Sequence, residues 1–315
     1  YGSLLDTLKQ SNNGSARIIP FTYDWRKDLM EAVHNLHTLI LQLQKEGTHD
    51  ISVVAHSLGG LIVSYYLRYG IQKINAAVET WEGANTVSAV VMAGVPFRGV
   101  MNSFRNMNFG VTAKFNTALL TSEAYSSFPS SYYTLPILDM DRLLTPKGTP
   151  LNNQIRNSNH WKQMGWGLLN KKTTLSDEII DRRATYMSFW LHRSQRFLEL
   201  LHSASTTPSR YHPSLLYLYA TGRPTLATGI WRQQNTQGTD SLLFDNRERI
   251  KALTTIAPNL LYADGDETVT VDSASLPNAY IETFPTTLRD YEVGHTELVT
   301  DSTILQDINT FLQTH

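Results

Sequence analysis

The sequence predicts an α/β fold in which a mostly parallel sheet carries helices on both faces. Residues 51–54, 87–96 and 214–220 are rich in β-branched and apolar side chains, which is typical of buried strands. Stretches with apolar residues at helical spacing lie before and after the first of these runs. This alternation of strands and helices favours a parallel sheet, because parallel neighbours need a crossover connection, usually a helix.

The N-terminal part of the chain predicts helix, strand and helix. Leu4, Leu5 and Leu8 indicate a short amphipathic helix within residues 1–10, and residues 17–26 have the composition of a strand. A long helix is expected from about Asp28 to Gly47, because apolar residues recur on one face. These are Leu29, Val33, Leu36, Ile40 and Leu43.

A sharp turn at Ser57 joins the strand 51–54 to an apolar helix at 61–67. The hexapeptide 55–60 reads AHSLGG, with small residues at Ala55 and Gly59 where strand and helix backbones should approach closely. This arrangement is typical of the nucleophile elbow of α/β-hydrolases, which exposes a serine hydroxyl beside a helix N-terminus. The alternative is a serine that merely caps an ordinary helix.

The middle of the chain predicts a cap inserted into the sheet domain. Residues 101–210 are rich in Ser, Thr, Asn and aromatic residues, and a helix is expected over 185–202. We therefore divide the chain into a first core part at 1–100, a cap at 101–210 and a second core part at 211–315. One apolar cluster of the cap could face lipid, line a pocket or form the cap's own core. Its members are Trp161, Met164, Trp166, Leu168 and Leu169.

The C-terminal part predicts an acidic turn and a late histidine. Residues 260–269 read LLYADGDETV, which places Asp264 and Asp266 on a tight turn at Gly265, and a short strand is expected at 280–284. His295 follows a glycine in a loop before a closing helix at 304–312.

Ser57, an aspartate and His295 occur in the order that the α/β-hydrolase fold uses for a catalytic triad. A serine hydroxyl needs an imidazole to take its proton and a carboxylate to hold that imidazole in the correct tautomer. The residues alone leave Asp264 and Asp266 open as the carboxylate, with Asp272 a less favoured third. His56 is excluded as the base, because neighbouring side chains diverge at the elbow.

Composition restricts the partners and cofactors. The formal net charge is -1, with 27 Lys and Arg against 28 Asp and Glu, so no basic field exists to bind nucleic acid. There are no cysteines, which excludes thiol chemistry and favours an intracellular or bacterial protein over a disulfide-stapled secreted one. The spacing of His34 and His37 indicates a solvated helix face and not a metal site. We expect no metal and no cofactor, and the oligomeric state stays open.

The chain resembles the lecithin:cholesterol acyltransferase-like branch of the α/β-hydrolases, which includes a lysosomal phospholipase and the phospholipid:diacylglycerol acyltransferases. The resemblance rests on stretches in family order: Tyr1 with its following leucines, TYDWR at 22–26, AHSLGG at 55–60, VPFRG at 95–99, PSSYYTLP at 129–136, YATGRPT at 219–225, GDETV at 265–269 and GH at 294–295. It implies that Asp266 is the acid, with Ser57 as nucleophile and His295 as base. Trp25 and Arg26 are candidate pocket residues by family position, and Phe97 is another because it follows the next strand at the same sheet edge.

The resemblance implies a lipid acyl ester as substrate and an acyl-enzyme intermediate, with a transient contact to a membrane surface. Water as acceptor would make the protein a lipase or phospholipase, whereas an alcohol would make it an acyltransferase. The alternatives are a hydrolase-like scaffold that only binds lipid or protein, and a soluble carboxylesterase for short esters.

Two departures from the family pattern bear on activity. Ala55 stands where the family usually has glycine. Leu58 supplies only one backbone donor for the oxyanion hole, whereas the family's other donor lies on a strand upstream of Tyr1. We therefore expect the N-terminal strands of the fold to be missing and the chain to be a fragment of a longer protein.

Overall fold

The chain divides into two compact units. The computed structural model describes residues 1–11, 16–113, 116–137, 139–140, 142–170, 175–206, 213–232, 241–244 and 247–315. The first unit comprises residues 1–97, 199–223 and 265–315, and the second comprises 98–198 and 224–264. The second unit thus resembles the predicted cap at 101–210 but also takes residues 224–264. Its role as a cap stays a prediction.

The helices and strands of the described residues follow each other along both units. The helices are α1 (Gly2–Ser11), α2 (Leu29–Lys45), α3 (Leu58–Tyr69), α4 (Met101–Phe109), α5 (Ser122–Ser126), α6 (Pro129–Tyr133), α7 (Ser158–Met164), α8 (Asp177–His202), α9 (Arg247–Leu253), α10 (Asn278–Thr283) and α11 (Ser302–Thr314). The strands are β1 (Ser52–His56), β2 (Ala89–Ala93), β3 (Val111–Ala113), β4 (Asn116–Leu120), β5 (Arg142–Leu144), β6 (Pro150–Asn152), β7 (Ser214–Ala220), β8 (Arg223–Leu226), β9 (Gly229–Trp231), β10 (Leu242–Leu243), β11 (Tyr262–Gly265) and β12 (Thr286–Tyr291).

A four-stranded parallel sheet in the order β1-β2-β7-β12 forms the centre of the first unit. On one face, Val91 and Leu218 join an apolar cluster with Leu4 and Leu8 of α1 and with α11. On the other face, the Ser64 hydroxyl of α3 lies 3.4 Å from the Met92 sulfur. The predicted parallel sheet with helices on both faces is therefore confirmed.

The predicted apolar face of α2 is confirmed. Asp28 caps this helix by accepting the backbone N–H of Met30 at 3.3 Å. Every residue of the predicted face is buried, namely Leu29, Val33, Leu36, Ile40 and Leu43.

Two strand predictions are wrong. Residues 17–24 form neither a strand nor a helix, and Pro20 lacks the N–H that a ladder would use. Residues 278–283 form helix α10, although aromatic residues favour strands. Here Tyr280 and Phe284 lie one helical turn apart with stacked rings, and each meets the Trp81 ring edge-on. This packing outweighs the local strand preference.

The second unit has its own sheet and core. Its four-stranded sheet has the order β10-β9-β5-β6, and the pairs β3–β4 and β8–β11 form separate ribbons. One apolar cluster was predicted to face lipid, line a pocket or form the core of the cap, and it comprises Trp161, Met164, Trp166, Leu168 and Leu169. All five side chains are buried in the core of the second unit, together with Phe104 and Trp231. The interpretation that this cluster faces lipid is therefore wrong.

A buried ion pair holds the C-terminal end of α8 in the first unit. Arg68 pairs with Glu79 through its Nε at 2.7 Å, and the two side chains are 1% and 5% exposed. The Arg68 guanidinium also donates to the carbonyls of Leu200, Ser203 and Ala204 at 3.1, 2.8 and 2.9 Å. The last carbonyls of a helix have no intrahelical partner, so this side chain anchors the end of α8 and the residues that follow it.

Arg68→Ala is expected to lower the free energy of unfolding by about 3–5 kcal/mol, because it leaves the Glu79 carboxylate buried without its cation. Urea denaturation measures the change. The matched control is Arg182→Ala, which removes an exposed pair with Glu178 and should cost about 0.5 kcal/mol or less. Equal losses in the two variants would contradict the role given to burial.

Candidate active site

The turn at Ser57 has the geometry of a nucleophile elbow. Ser57 lies between β1 and α3 with φ 54° and ψ −126°, a backbone conformation that L-residues rarely adopt. Its N–H donates to the Ala93 carbonyl at 2.9 Å, which ties the turn to β2. The Ser57 side chain makes no capping hydrogen bond to the helix, so the capping alternative does not hold. Its hydroxyl instead faces a histidine.

Glycine is required at position 60 of this turn, where the sequence pattern had pointed to position 59. A Cβ on Gly60 would lie 2.1 Å from Cγ2 of Val95, too close for any side chain. A Cβ on Gly59 would meet Ala55 at 3.9 Å, which is an ordinary contact. The close approach is therefore between α3 and the residues after β2, and the expectation for Gly59 is corrected.

His295 lies between Ser57 and Asp266. Its Nε2 is 2.9 Å from the Ser57 hydroxyl, and its Nδ1 is 2.7 Å from Oδ2 of Asp266. The His295 side chain is 14% exposed and that of Asp266 is 2% exposed. A continuous hydrogen-bonded line thus runs from a partly accessible hydroxyl to a buried carboxylate, although the three residues are far apart in sequence.

Asp266 is the aspartate of the acidic turn that reaches the histidine. Its second carboxylate oxygen accepts the backbone N–H groups of Thr268 and Val269 at 2.9 and 2.6 Å. Asp264 and Asp272 are both exposed. The turn includes Glu267 at φ 74°, a strained position for a residue with a side chain.

The loop that carries His295 is fixed through its backbone. The His295 N–H donates to the Asp266 carbonyl at 2.9 Å, and the Gly294 N–H donates to the Glu297 carboxylate at 2.5 Å. Gly94, at φ 56°, leaves room for the imidazole, because a Cβ there would lie 3.1 Å from Cε1 of His295. No local pattern marks Gly94, since only the folded chain brings the end of β2 to the histidine loop.

His56 contacts the same loop, which sequence reasoning missed. Its Nε2 lies 3.0 Å from the His295 carbonyl, and its Nδ1 lies 3.0 Å from the Tyr1 hydroxyl. The two imidazole rings are 4.6 Å apart. Burial, followed by the neighbouring His295, lowers the pKa of His56 from 6.5 to about 4. His56 is therefore neutral at neutral pH.

The lowered pKa of His56 predicts a pH dependence of stability. The unfolded chain binds a proton at this residue below about pH 6.5, whereas the folded chain does so only near pH 4. The free energy of unfolding is therefore not reduced by His56 above pH 6.5. It falls by up to about 3 kcal/mol as the pH decreases from 6.5 to 4, because only the unfolded chain then binds the proton. Urea denaturation across this range measures it. His56→Gln should flatten that part of the profile, and an unchanged profile in this variant would contradict the assignment.

The remaining predicted site residues are spread over different environments. Leu58 is the first residue of α3, so its N–H has no intrahelical acceptor. Trp25 is 45% exposed, and Arg26 forms a two-point ion pair with Asp24 at 2.8 Å. Phe97 is fully buried, with its ring 6.0 Å from that of Tyr217. Their predicted roles at a substrate stay predictions.

Within the described ranges, no group of three or more His, Cys, Asp or Glu residues could hold a metal ion. Of the helices that the structure describes, none is long and apolar enough to cross a membrane.

Comparison with solved structures finds matches at low sequence identity. A chain of the Tle4–Tli4 complex superposes with a TM-score of 0.52 at 14% identity, covering 92% of this chain and 67% of that chain. Esterase E22 gives a TM-score of 0.33 at 13% identity, covering 93% of this chain and 67% of that chain. Homoserine O-acetyltransferase from Bacillus anthracis gives a TM-score of 0.34 at 11% identity, covering 90% of this chain and 65% of that chain. The superposition on the Tle4–Tli4 chain, together with the parallel sheet of the first unit, confirms the predicted α/β-hydrolase fold.

Comparison with family models finds a match over most of the chain. No curated protein sequence matches the chain. The family model described as lecithin:cholesterol acyltransferase matches residues 1–303, which include every residue of the site described above. The predicted family is thus confirmed, and the chain belongs to the lecithin:cholesterol acyltransferase family.

Proposed function

We propose that this protein is a serine enzyme that acts on lipid acyl esters through an acyl-enzyme, with Ser57 as nucleophile, His295 as base and Asp266 as the supporting acid. The observation that carries the proposal is the hydrogen-bonded line from the Ser57 hydroxyl through His295 to Asp266, with distances of 2.9 and 2.7 Å. Membership of the lecithin:cholesterol acyltransferase family supports an acyl ester as the substrate.

In this mechanism the Ser57 hydroxyl attacks the ester carbonyl while Nε2 of His295 takes its proton. The buried Asp266 carboxylate accepts the Nδ1–H of His295, keeps the lone pair of Nε2 directed at Ser57 and stabilises the imidazolium that forms. The two backbone N–H groups on Oδ1 of Asp266 hold this carboxylate in position beside His295. The imidazolium then protonates the leaving alcohol, and an acyl group stays on Ser57.

The N–H of Leu58 is directed to the oxyanion of the tetrahedral intermediate. It lies at the start of α3, where the positive end of the helix dipole adds to the stabilisation of negative charge. An attacking water releases a fatty acid, whereas an attacking alcohol gives a new ester. The degree to which water is excluded from the acyl-enzyme decides between these two outcomes.

A fluorophosphonate probe with peptide mapping tests the proposal on the protein as encoded. We expect a single phosphonylated residue, Ser57, and a loss of labelling in His295→Ala. His34→Leu is the matched control, because His34 is exposed on α2 and should leave labelling unchanged. No labelling would favour a hydrolase-like binding scaffold instead, and labelling at another residue would contradict the assignment of Ser57 as the nucleophile.

A series of p-nitrophenyl esters from acetate to palmitate tests the substrate class. We expect the highest kcat/KM with long acyl chains presented in mixed micelles. Activity confined to the shortest esters would favour a soluble carboxylesterase. Adding a long-chain alcohol to the same assay measures how the acyl-enzyme partitions between hydrolysis and transfer.

A further inference from the structure

One hydrogen bond joins the turn that carries Ser57 to the loop that carries His295. The His295 backbone has its N–H on the Asp266 carbonyl at 2.9 Å, and its own carbonyl lies 3.0 Å from Nε2 of His56. His56 directly precedes Ser57 and is the last residue of β1. The nucleophile and the base are therefore linked a second time, by a bond that does not involve the reacting atoms.

The acceptors around His56 determine its tautomer. A backbone carbonyl can only accept, so Nε2 of His56 carries the hydrogen and donates it to His295. The Nδ1 of the neutral ring is then an acceptor, and the Tyr1 hydroxyl donates to it at 3.0 Å. The lowered pKa of His56 agrees with this neutral form.

We propose that His56 is a positioning residue that acts through His295: its Nε2–H holds the His295 carbonyl and thereby sets the imidazole at the Ser57 hydroxyl. This inference rests on the proposed function, because positioning affects turnover only if His295 is the base. Misplacing a reacting group by about 1 Å can cost on the order of 100-fold in rate. Since the rings are 4.6 Å apart, a neutral His56 also avoids opposing the positive charge that His295 gains during the reaction.

Glutamine and asparagine at position 56 separate this role from simple packing. The amide nitrogen of glutamine is as many bonds from Cβ as Nε2 of histidine, so His56→Gln can still donate to the His295 carbonyl. The amide nitrogen of asparagine lies at the position of Nδ1 of histidine, so His56→Asn cannot donate to the His295 carbonyl. We expect His56→Gln to keep kcat within about 10-fold of the original protein, and His56→Asn to lower it on the order of 100-fold with KM nearly unchanged.

The His295 Nε2 to Ser57 Oγ distance in crystal structures of the three proteins gives a second readout, independent of turnover. We expect it to stay near 2.9 Å in His56→Gln and to lengthen in His56→Asn. His34→Leu serves again as the control for a histidine far from the turn. An asparagine variant with unchanged kcat and an unchanged distance would overturn the positioning role.

The two readouts also separate this inference from the proposed function. If the original protein neither reacts with the fluorophosphonate probe nor cleaves esters, the proposed function fails. The distance then still decides whether His56 holds the histidine loop. If the original protein is active and the glutamine and asparagine variants lose the same activity, the positioning role fails and the proposed function stands.

Discussion

Ser57→Ala is expected to lower kcat for an acyl ester by about 10⁴- to 10⁶-fold, because it removes the oxygen that forms the acyl-enzyme. Residual turnover would come from substrate binding and the Leu58 N–H alone. The matched control is Ser275→Ala, which replaces an exposed serine whose hydroxyl donates to the Val271 carbonyl. Steady-state kinetics with one p-nitrophenyl ester compares the two variants. Turnover by Ser57→Ala close to that of the control would remove Ser57 from the mechanism.

The stability of variants at position 57 provides a separate test of the turn. Alanine has the same difficulty as serine at φ 54° and ψ −126°, so Ser57→Ala should melt near the original temperature. Glycine adopts this conformation without strain, so Ser57→Gly should regain about 1–3 kcal/mol while remaining inactive. Lower stability of the glycine variant than of the alanine variant would indicate that the turn is not strained.

Local pattern was sufficient to predict the elements that bury a regular apolar face. The strand predicted over 214–220 is β7 with the same bounds, and the predicted face of α2 is buried. The elbow could be predicted as well, because a β-branched run, a short turn with glycines and an apolar helix follow each other within one short stretch. In these cases the local preferences and the tertiary packing agree.

Predictions that depended on a distant partner were less successful. Residues 17–24 have strand composition, but no strand in the described part of the chain pairs with them. Residues 278–283 form a helix because aromatic rings from elsewhere, including Trp81, pack on Tyr280 and Phe284. Composition records the propensity of a segment, whereas the neighbour that satisfies its backbone or covers its side chains is set by the fold.

The same limit applies to the candidate site. Sequence order was enough to select Ser57 and His295, but His56 was excluded because its side chain diverges from that of Ser57. The contact of His56 is instead with the backbone of His295, 239 positions away in sequence. Gly94 is a similar case, since a Cβ there would crowd both Leu298 and the His295 ring. No local signal announces such contacts.

The acidic turn offers a paired test of the proposed acid, because Asp264 and Asp266 differ in environment and are only two positions apart. Asp266 is buried, and its Oδ2 lies 2.7 Å from Nδ1 of His295, whereas Asp264 is exposed. Within a strand, residues two positions apart have their side chains on the same face. Because β11 ends at Gly265, between the two aspartates, this rule does not place their carboxylates on one face.

Asp266→Asn is expected to lower kcat by about 10⁴-fold with little change in size or packing. The amide can donate to Nδ1 of His295, which would leave the imidazole with its lone pair turned away from Ser57. Asp264→Asn should keep kcat within about threefold, since an exposed charge contributes little after screening by salt. Steady-state kinetics and urea denaturation are compared for both variants. A large loss of activity in Asp264→Asn with full activity in Asp266→Asn would identify Asp264 as the acid. It would contradict the hydrogen-bonded line from Ser57 to Asp266 on which the mechanism depends.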